Sequence, residues 1–292
     1  MGRRGRAGCR TGGVTEMCAS ERNRTRIPRT SKQMTLNMTT TQSVTRARPE
    51  QAATSSLPTP KQNQILATLP AEEYARLLPQ LELVQLPLGK VLYEPGVKME
   101  YLYFPISGII SLLYVMKVGA SAEIGLTGSE GLVGVSLFMG GESTTSRAVT
   151  QNASACYRLK ANVLQREFAL GGPLQYLALR YTQALMTQMM QTAACNRHHT
   201  LDQQLCRWLL LSLDRLPGDE LTMTQQLIAN MLGVDLDGMA RALDQLQAAE
   251  LIRYQDGLVT VVDRPGLEDR VCECYEVVNN EYGRLLPYKL VN

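Results

Sequence analysis

The chain has 292 residues, 45% of them hydrophobic, and a net charge of +3. That is enough for two compact domains with real cores, and no run of eighteen apolar residues is present to span a bilayer. The basic first residues are followed by no apolar leader segment, so the cytoplasm is the expected compartment and no membrane partner is expected. Charge is unevenly spread: residues 1–60 carry ten Arg and one Lys against three Glu, a net +8, which leaves −5 on the other 232. The folded part is mildly acidic, so any nucleic-acid patch has to be local. With two His in the chain, and neither a P-loop nor a Ser–His–Asp set, no enzyme is expected.

Residues 1–60 are rich in Arg, Thr, Ser, Gly and Pro and have hardly any apolar periodicity. They bury too little to offset the entropy of ordering and read as a disordered basic extension. Such a tail can hold nucleic acid weakly; the plainer reading is an extension ahead of alternative starts at Met34 or Met38. Order is expected to begin near Asn63, with two short helices and Pro70 in the first turn of the second. From Leu81 to about Leu159 the sequence breaks into short apolar runs bounded by Gly and Pro, which predicts an all-β sandwich or rolled barrel over 61–170. Gly89, Gly96, Gly108, Gly119, Gly128 and Gly131 are the expected corners.

A long helix is predicted across 171–199. Leu174, Leu177, Tyr181, Leu185 and Met189 recur at three- and four-residue steps, a stripe suited to the seam of a homodimer; burial against its own domain is the alternative. Thr200 and Gln203 then form a capping box for another helix.

Residues 200–264 carry the most informative pattern. Thr224 caps one helix, Gly233 allows the tight turn after it, and Asp235 caps the next. Leu227, Ile228 and Met231 of the first helix, and Met239, Ala240, Leu243 and Leu246 of the second, are expected to face inward. A hairpin around Asp256-Gly257 follows. Helix, turn, helix and hairpin is the layout of a winged helix-turn-helix, with double-stranded DNA as the expected partner. Residues 265–292 are expected to form a C-terminal helical tail.

Seven Cys stand at positions 9, 18, 156, 195, 206, 272 and 274. They lack the paired C-x2-C rhythm of a zinc or iron–sulfur site, so they read mainly as reduced thiols and neither metal nor cofactor is expected. Cys195, Cys206, His198 and His199 are close enough in sequence for a metal or redox role to be the competing reading. Cys272 and Cys274 invite a similar redox reading, although an i, i+2 pair chelates poorly by itself. His198 and His199 are expected to cap a helix or face solvent.

From about Asn63 through Arg264 the chain resembles bacterial transcription regulators of the cyclic-AMP-receptor and fumarate–nitrate-regulator (Crp/Fnr) superfamily. The likeness is carried by LYEPG, FPISGIISLL, GLVGVSLFMGG, SRAVTQ, NRHH, LCRWLLLSLDR and LTMTQQLIANMLGV. It implies an α+β chain: an N-terminal cyclic-nucleotide-binding-like β-roll, a long dimerisation helix and a C-terminal winged helix-turn-helix. DNA, a second copy of the chain and RNA polymerase are the partners it implies.

Two departures stand out. Where nucleotide-binding relatives have Gly-Glu, this chain has Gly134-Val135, and the phosphate-pairing Arg falls at Arg147 or, one residue earlier, at Ser146. Valine cannot accept the ribose hydrogen bond, so ordinary cyclic AMP or cyclic GMP binding is expected to be absent or very weak. On the recognition helix, Leu236, Asp237 and Arg241 stand where relatives often present Arg, Glu and Arg. Arg241 can still read guanine and Asp237 cytosine, with Thr224, Gln225 and Arg253 near the DNA backbone. The expectation is a dimeric DNA-binding transcription regulator with a degenerate sensor domain. The alternative is a noncatalytic protein-interaction or small-ligand-sensing module that no longer reads DNA.

Overall fold

The computed structural model describes residues 57–117 and 119–287. The predicted disordered extension lies outside them except for its last four residues. Order starts ahead of Asn63: Pro60 is buried in a 3-10 turn, Pro60–Gln62, and Tyr157 Oη donates to the Pro58 carbonyl at 2.9 Å. Two short helices follow, α1 (Gln64–Thr68) and α2 (Ala71–Leu77), with Pro70 at the N-cap of α2 rather than inside its first turn. Asn63 is fully buried. Its Oδ1 accepts from the Ile65 and Leu66 amides, while its Nδ2 donates to the carbonyls of Pro105 and Gly131 at 2.9 and 2.8 Å. One side chain thus caps α1 and fastens it to the sheets behind.

Seven strands come next: β1 (Glu82–Leu86), β2 (Val91–Tyr93), β3 (Tyr101–Ser107), β4 (Ile110–Val115), β5 (Ser121–Thr127), β6 (Arg147–Thr150) and β7 (Ser154–Lys160). They form two antiparallel sheets, ordered β1-β7-β3 and β2-β6-β4-β5. Leu102 and Phe104 on β3 alternate inward, as the two-residue period of a strand requires, and meet Ile110, Leu112, Leu126 and Ala148 in one core. Four of the six expected corner glycines have positive φ: Gly89, Gly96, Gly108 and Gly119. Gly131 is needed for another reason, since a Cβ there would run into the ring of Tyr181.

After α3 (Ala161–Ala169) comes α4 (Pro173–His198), 26 residues long. The structure corrects the expected seam here. Leu174, Leu177, Tyr181 and Leu185 are at most 4% exposed, and Met189 is half-buried against the same core. Tyr181 Oη hydrogen-bonds Thr127 at 2.7 Å, and Gln188 Oε1 accepts from the Leu126 amide at 2.7 Å. The stripe is buried because β5 covers its Leu185–Met189 end and α1, α3 and the C-terminal helix Cys274–Leu285 also pack on α4. What α4 leaves in solvent is a different row, Tyr176, Leu179, Gln183, Met186 and Met190.

Beyond α4, α5 (Leu201–Leu213) starts on the Thr200–Gln203 capping box, as expected. Then follow β8 (Glu220–Thr222), α6 (Gln225–Leu232), α7 (Leu236–Ala248), β9 (Ile252–Gln255), β10 (Leu258–Val261), α8 (Arg264–Arg270) and α9 (Cys274–Leu285). The wing has one strand more than the predicted hairpin, in the order β8-β10-β9. The C-terminal helix α9 packs along α4: Tyr282 meets Tyr181 edge-on with ring centroids 6.3 Å apart, and Gln188 Nε2 donates to Tyr282 Oη at 3.2 Å. No helix among the described residues is long and apolar enough to cross a membrane.

Candidate nucleic-acid interface

Local chemistry builds the helix-turn-helix. Thr224 Oγ1 accepts from the Leu227 amide at 3.3 Å and starts α6; Gly233 ends it with φ +69°, a conformation that costs glycine nothing. Asp235 Oδ1 then accepts from the Gly238 amide at 2.6 Å and starts α7. Ile228, Ala229, Met231 and Leu232 face Met239, Leu243 and Leu246 across the turn. Ala242 completes the inner face of α7; Ala240, expected there, is only half-buried, and so is Leu227. The wing is fastened to both helices through Tyr254, whose Oη accepts from the Gln225 amide at 3.0 Å and whose amide donates to Gln247 Oε1 at 2.9 Å. At its tip, Asp256 and Gly257 both have positive φ, the geometry a two-residue hairpin turn demands.

Leu236, Asp237 and Arg241 all lie exposed on one face of α7. Leu236 is 42% exposed, a large apolar side chain held in solvent at the start of the helix. Thr224 is exposed, Gln225 half-buried with its amide committed to Tyr254, and Arg253 exposed on β9. Thr224 and Gln225 thus stand at the entry to α6 and Arg253 on the wing. The exposed face of α7 also carries Asp244, so it holds two carboxylates against one guanidinium. Tyr254 and Gln247, which orient the wing, were not distinguishable in the sequence from ordinary surface residues.

The predicted effector residues have these partners in the structure. Gly134 has φ +117° and introduces a 3-10 turn at Val135–Leu137, with Val135 half-buried against the core. Ser146 is buried, its Oγ 3.2 Å from Thr144 Oγ1. Arg147 pairs instead with Glu94: Nε to Oε2 is 2.8 Å. Glu94 thus already holds the guanidinium, and an incoming phosphate would have to displace a carboxylate.

The strands of 82–160 and the helix-turn-helix meet at β5, the edge strand of its sheet, against which α4 and α6 pack. A Cβ on Gly233 would lie 3.2 Å from that of Ala122. Trp208 Nε1 on α5 donates to Glu123 Oε1 at 3.1 Å, and the Arg215–Glu130 ion pair is buried at 2.7 Å.

Residues 203–270 match the Crp-like helix-turn-helix domain, and 83–169 match the cyclic nucleotide-binding domain. No curated protein matches the chain. Among solved structures it is similar to a protein of the Crp/Fnr family from Eubacterium rectale, with 16% identity, 72% of this chain and 98% of that one covered, and a TM-score of 0.59. FixK2 from Bradyrhizobium japonicum follows with 15% identity, 66% and 98% coverage, and a TM-score of 0.57. The c-di-GMP-responsive regulator CLP of Xanthomonas campestris shows 20% identity, 66% and 99% coverage, and a TM-score of 0.55. At these identities the structures establish the fold, and the two matched domains establish what it is built from. A cyclic nucleotide-binding domain followed by long helices and a Crp-like helix-turn-helix domain is thus the make-up of this chain, and its fold is similar to that of Crp/Fnr-family structures.

Proposed function

We propose that the chain acts as a dimeric regulator that reads DNA with α7 and whose sensor domain does not take cyclic AMP or cyclic GMP in the usual way. The observation that carries this reading is the free face of α7: Leu236, Asp237 and Arg241 point away from the core while the opposite face is fully packed. A major groove admits a helix presented in this way. Arg241 is the base-reading donor, Asp237 an acceptor for cytosine and Leu236 an apolar contact for a thymine methyl. Thr224, Gln225 and Arg253 flank that helix as backbone contacts, and RNA polymerase is the further partner of a promoter-bound regulator.

Dimerisation is assigned to the exposed row of α4. Tyr176, Leu179, Met186 and Met190 are 58%, 49%, 51% and 61% exposed, and with Gln183 they step by three and four residues. That is the spacing of a two-helix seam, with a polar residue at its centre to fix register. The sensor reading rests on Val135 in place of an acid and on Glu94 holding Arg147.

The test is selection of bound sequences from a random DNA pool by the full chain. Enrichment of a two-fold symmetric site is expected, and Arg241→Ala should lower the preference for that site over random DNA by about 1–3 kcal/mol. Recovery of no enriched sequence from a folded dimer would instead support the protein-interaction reading, which the two Asp on the free face of α7 favour.

A further inference from the structure

Four ligating side chains that stand far apart in the sequence come together at the end of α4. Cys195 and His199 lie one helical turn apart there, and Cys272 and Cys274 bracket the start of α9. Sγ of Cys195 is 3.6 Å from Sγ of Cys272, and Sγ of Cys274 is 3.6 Å from Nδ1 of His199; the four donor atoms all lie within 4.8 Å of one another. We propose that these residues hold a single zinc-class divalent ion in a closed site of three thiolates and one imidazole.

The spacing suits one tetrahedral ion. With metal–sulfur and metal–nitrogen bonds of about 2.3 and 2.0 Å, neighbouring sulfurs lie about 3.8 Å apart and a sulfur and nitrogen about 3.5 Å. Both 3.6 Å separations are within about 0.2 Å of those values. So compact a set favours one ion over a polynuclear cluster.

The surroundings match as well. Nε2 of His199 lies 3.2 Å from Glu273 Oε2, which holds a proton on Nε2 and leaves the Nδ1 lone pair for the metal. Cys195, Cys272 and Cys274 are 0%, 3% and 2% exposed, leaving no open position of the kind a catalytic ion keeps. Three thiolates around a divalent ion leave one negative charge, and the buried guanidinium of Arg207 is placed to offset it: it donates to Thr192, one turn before Cys195 on α4, at 3.3 Å. A Cys195–Cys272 disulfide would leave Cys274, His199 and Glu273 arranged for nothing. Cys206 is not among the four ligands, and His198 is exposed, so the sequence neighbours first considered with Cys195 are not the ones that join it, His199 excepted.

Two of the ligands precede the DNA-reading module in the chain and two follow it. The ion therefore ties the break between α4 and α5 to the segment that leads into α9. Because the thiols must lose their protons, acid weakens binding.

The full chain, prepared under reducing conditions without chelator, is expected to carry about one zinc per chain by elemental analysis. Replacement by cobalt should give the visible bands of a tetrahedral thiolate site. Cys272→Ser with Cys274→Ser should abolish both signals, while Cys206→Ser keeps them. Glu273 is 73% exposed, so Glu273→Ala leaves the fold intact and should weaken metal binding by about 10–100-fold. A folded, reduced chain with neither zinc nor a cobalt–thiolate spectrum would overturn the assignment. So would full metal content in the double serine variant. None of these measurements uses DNA, so they stand or fall apart from the regulator reading.

Discussion

Glu123 lies buried on β5 with its Oε1 accepting from the Trp208 indole, and burial pushes its carboxyl up to about 7 while Ser111, Arg207 and the indole hold it from going higher. Unfolded, the same carboxyl titrates near 4.5. Between those values the native state keeps a proton that the unfolded chain has released, so this residue makes the fold less stable as pH rises through the window. Glu123→Gln keeps the acceptor for Trp208 and removes the titration. Its denaturant midpoint should change less between pH 5 and 7 than that of the parent, with a gain of at most about 3 kcal/mol at pH 8. Parallel pH profiles for the two proteins would show that Glu123 is ionised in the fold. Arg147 makes a related point: the sequence left the choice between it and Ser146 open, and the structure separates them, with Ser146 buried beside Thr144 and Arg147 on Glu94.

At the scale of elements, α4 presents different sides to different surroundings. One side meets β5, another meets α9, and a third is left to solvent. The two variants one would make on this helix therefore report different things. Leu185 is 2% exposed, so Leu185→Glu buries a charge and unfolds the subunit. Met186 is 51% exposed, so Met186→Glu leaves the subunit folded and, if the proposed two-fold seam runs along this row, sets two carboxylates against each other. Association measured by sedimentation should weaken by about tenfold or more, with the unfolding midpoint unchanged. A Met186→Glu protein that stays dimeric at low micromolar concentration would move the seam off this row.

Across the whole molecule, the DNA-reading module is docked on its own sensor sheets through β5. Gly233 sits beside Ala122, Trp208 on Glu123 and Arg215 on Glu130, so any movement of the helix-turn-helix relative to these sheets has to break those contacts. Arg215 also accounts for the close approach at Gly128, where a Cβ would lie 2.9 Å from its own. Arg215→Met takes the counter-charge from a buried carboxylate and should cost about 3–5 kcal/mol in denaturant unfolding. A loss under about 1 kcal/mol would mean that the pair is solvated in solution.

Short-range signals are legible in the sequence alone. Thr200 with Gln203, Thr224, Gly233, Asp235 and Asp256-Gly257 each fix a cap or turn through atoms within a few residues, and the alternation in β3 follows from strand geometry. Which face of α4 stays free is not legible there, because apolar residues on more than one of its faces satisfy a helical period and only the neighbours decide which of them is covered. Nor is the meeting of Cys195 with Cys272, 77 residues apart in the chain, or of Arg147 with Glu94, 53 apart. Local spacing specifies caps, turns and periods because those interactions span one turn of chain; partners brought together by the packing of separate elements exist only once the tertiary structure has formed.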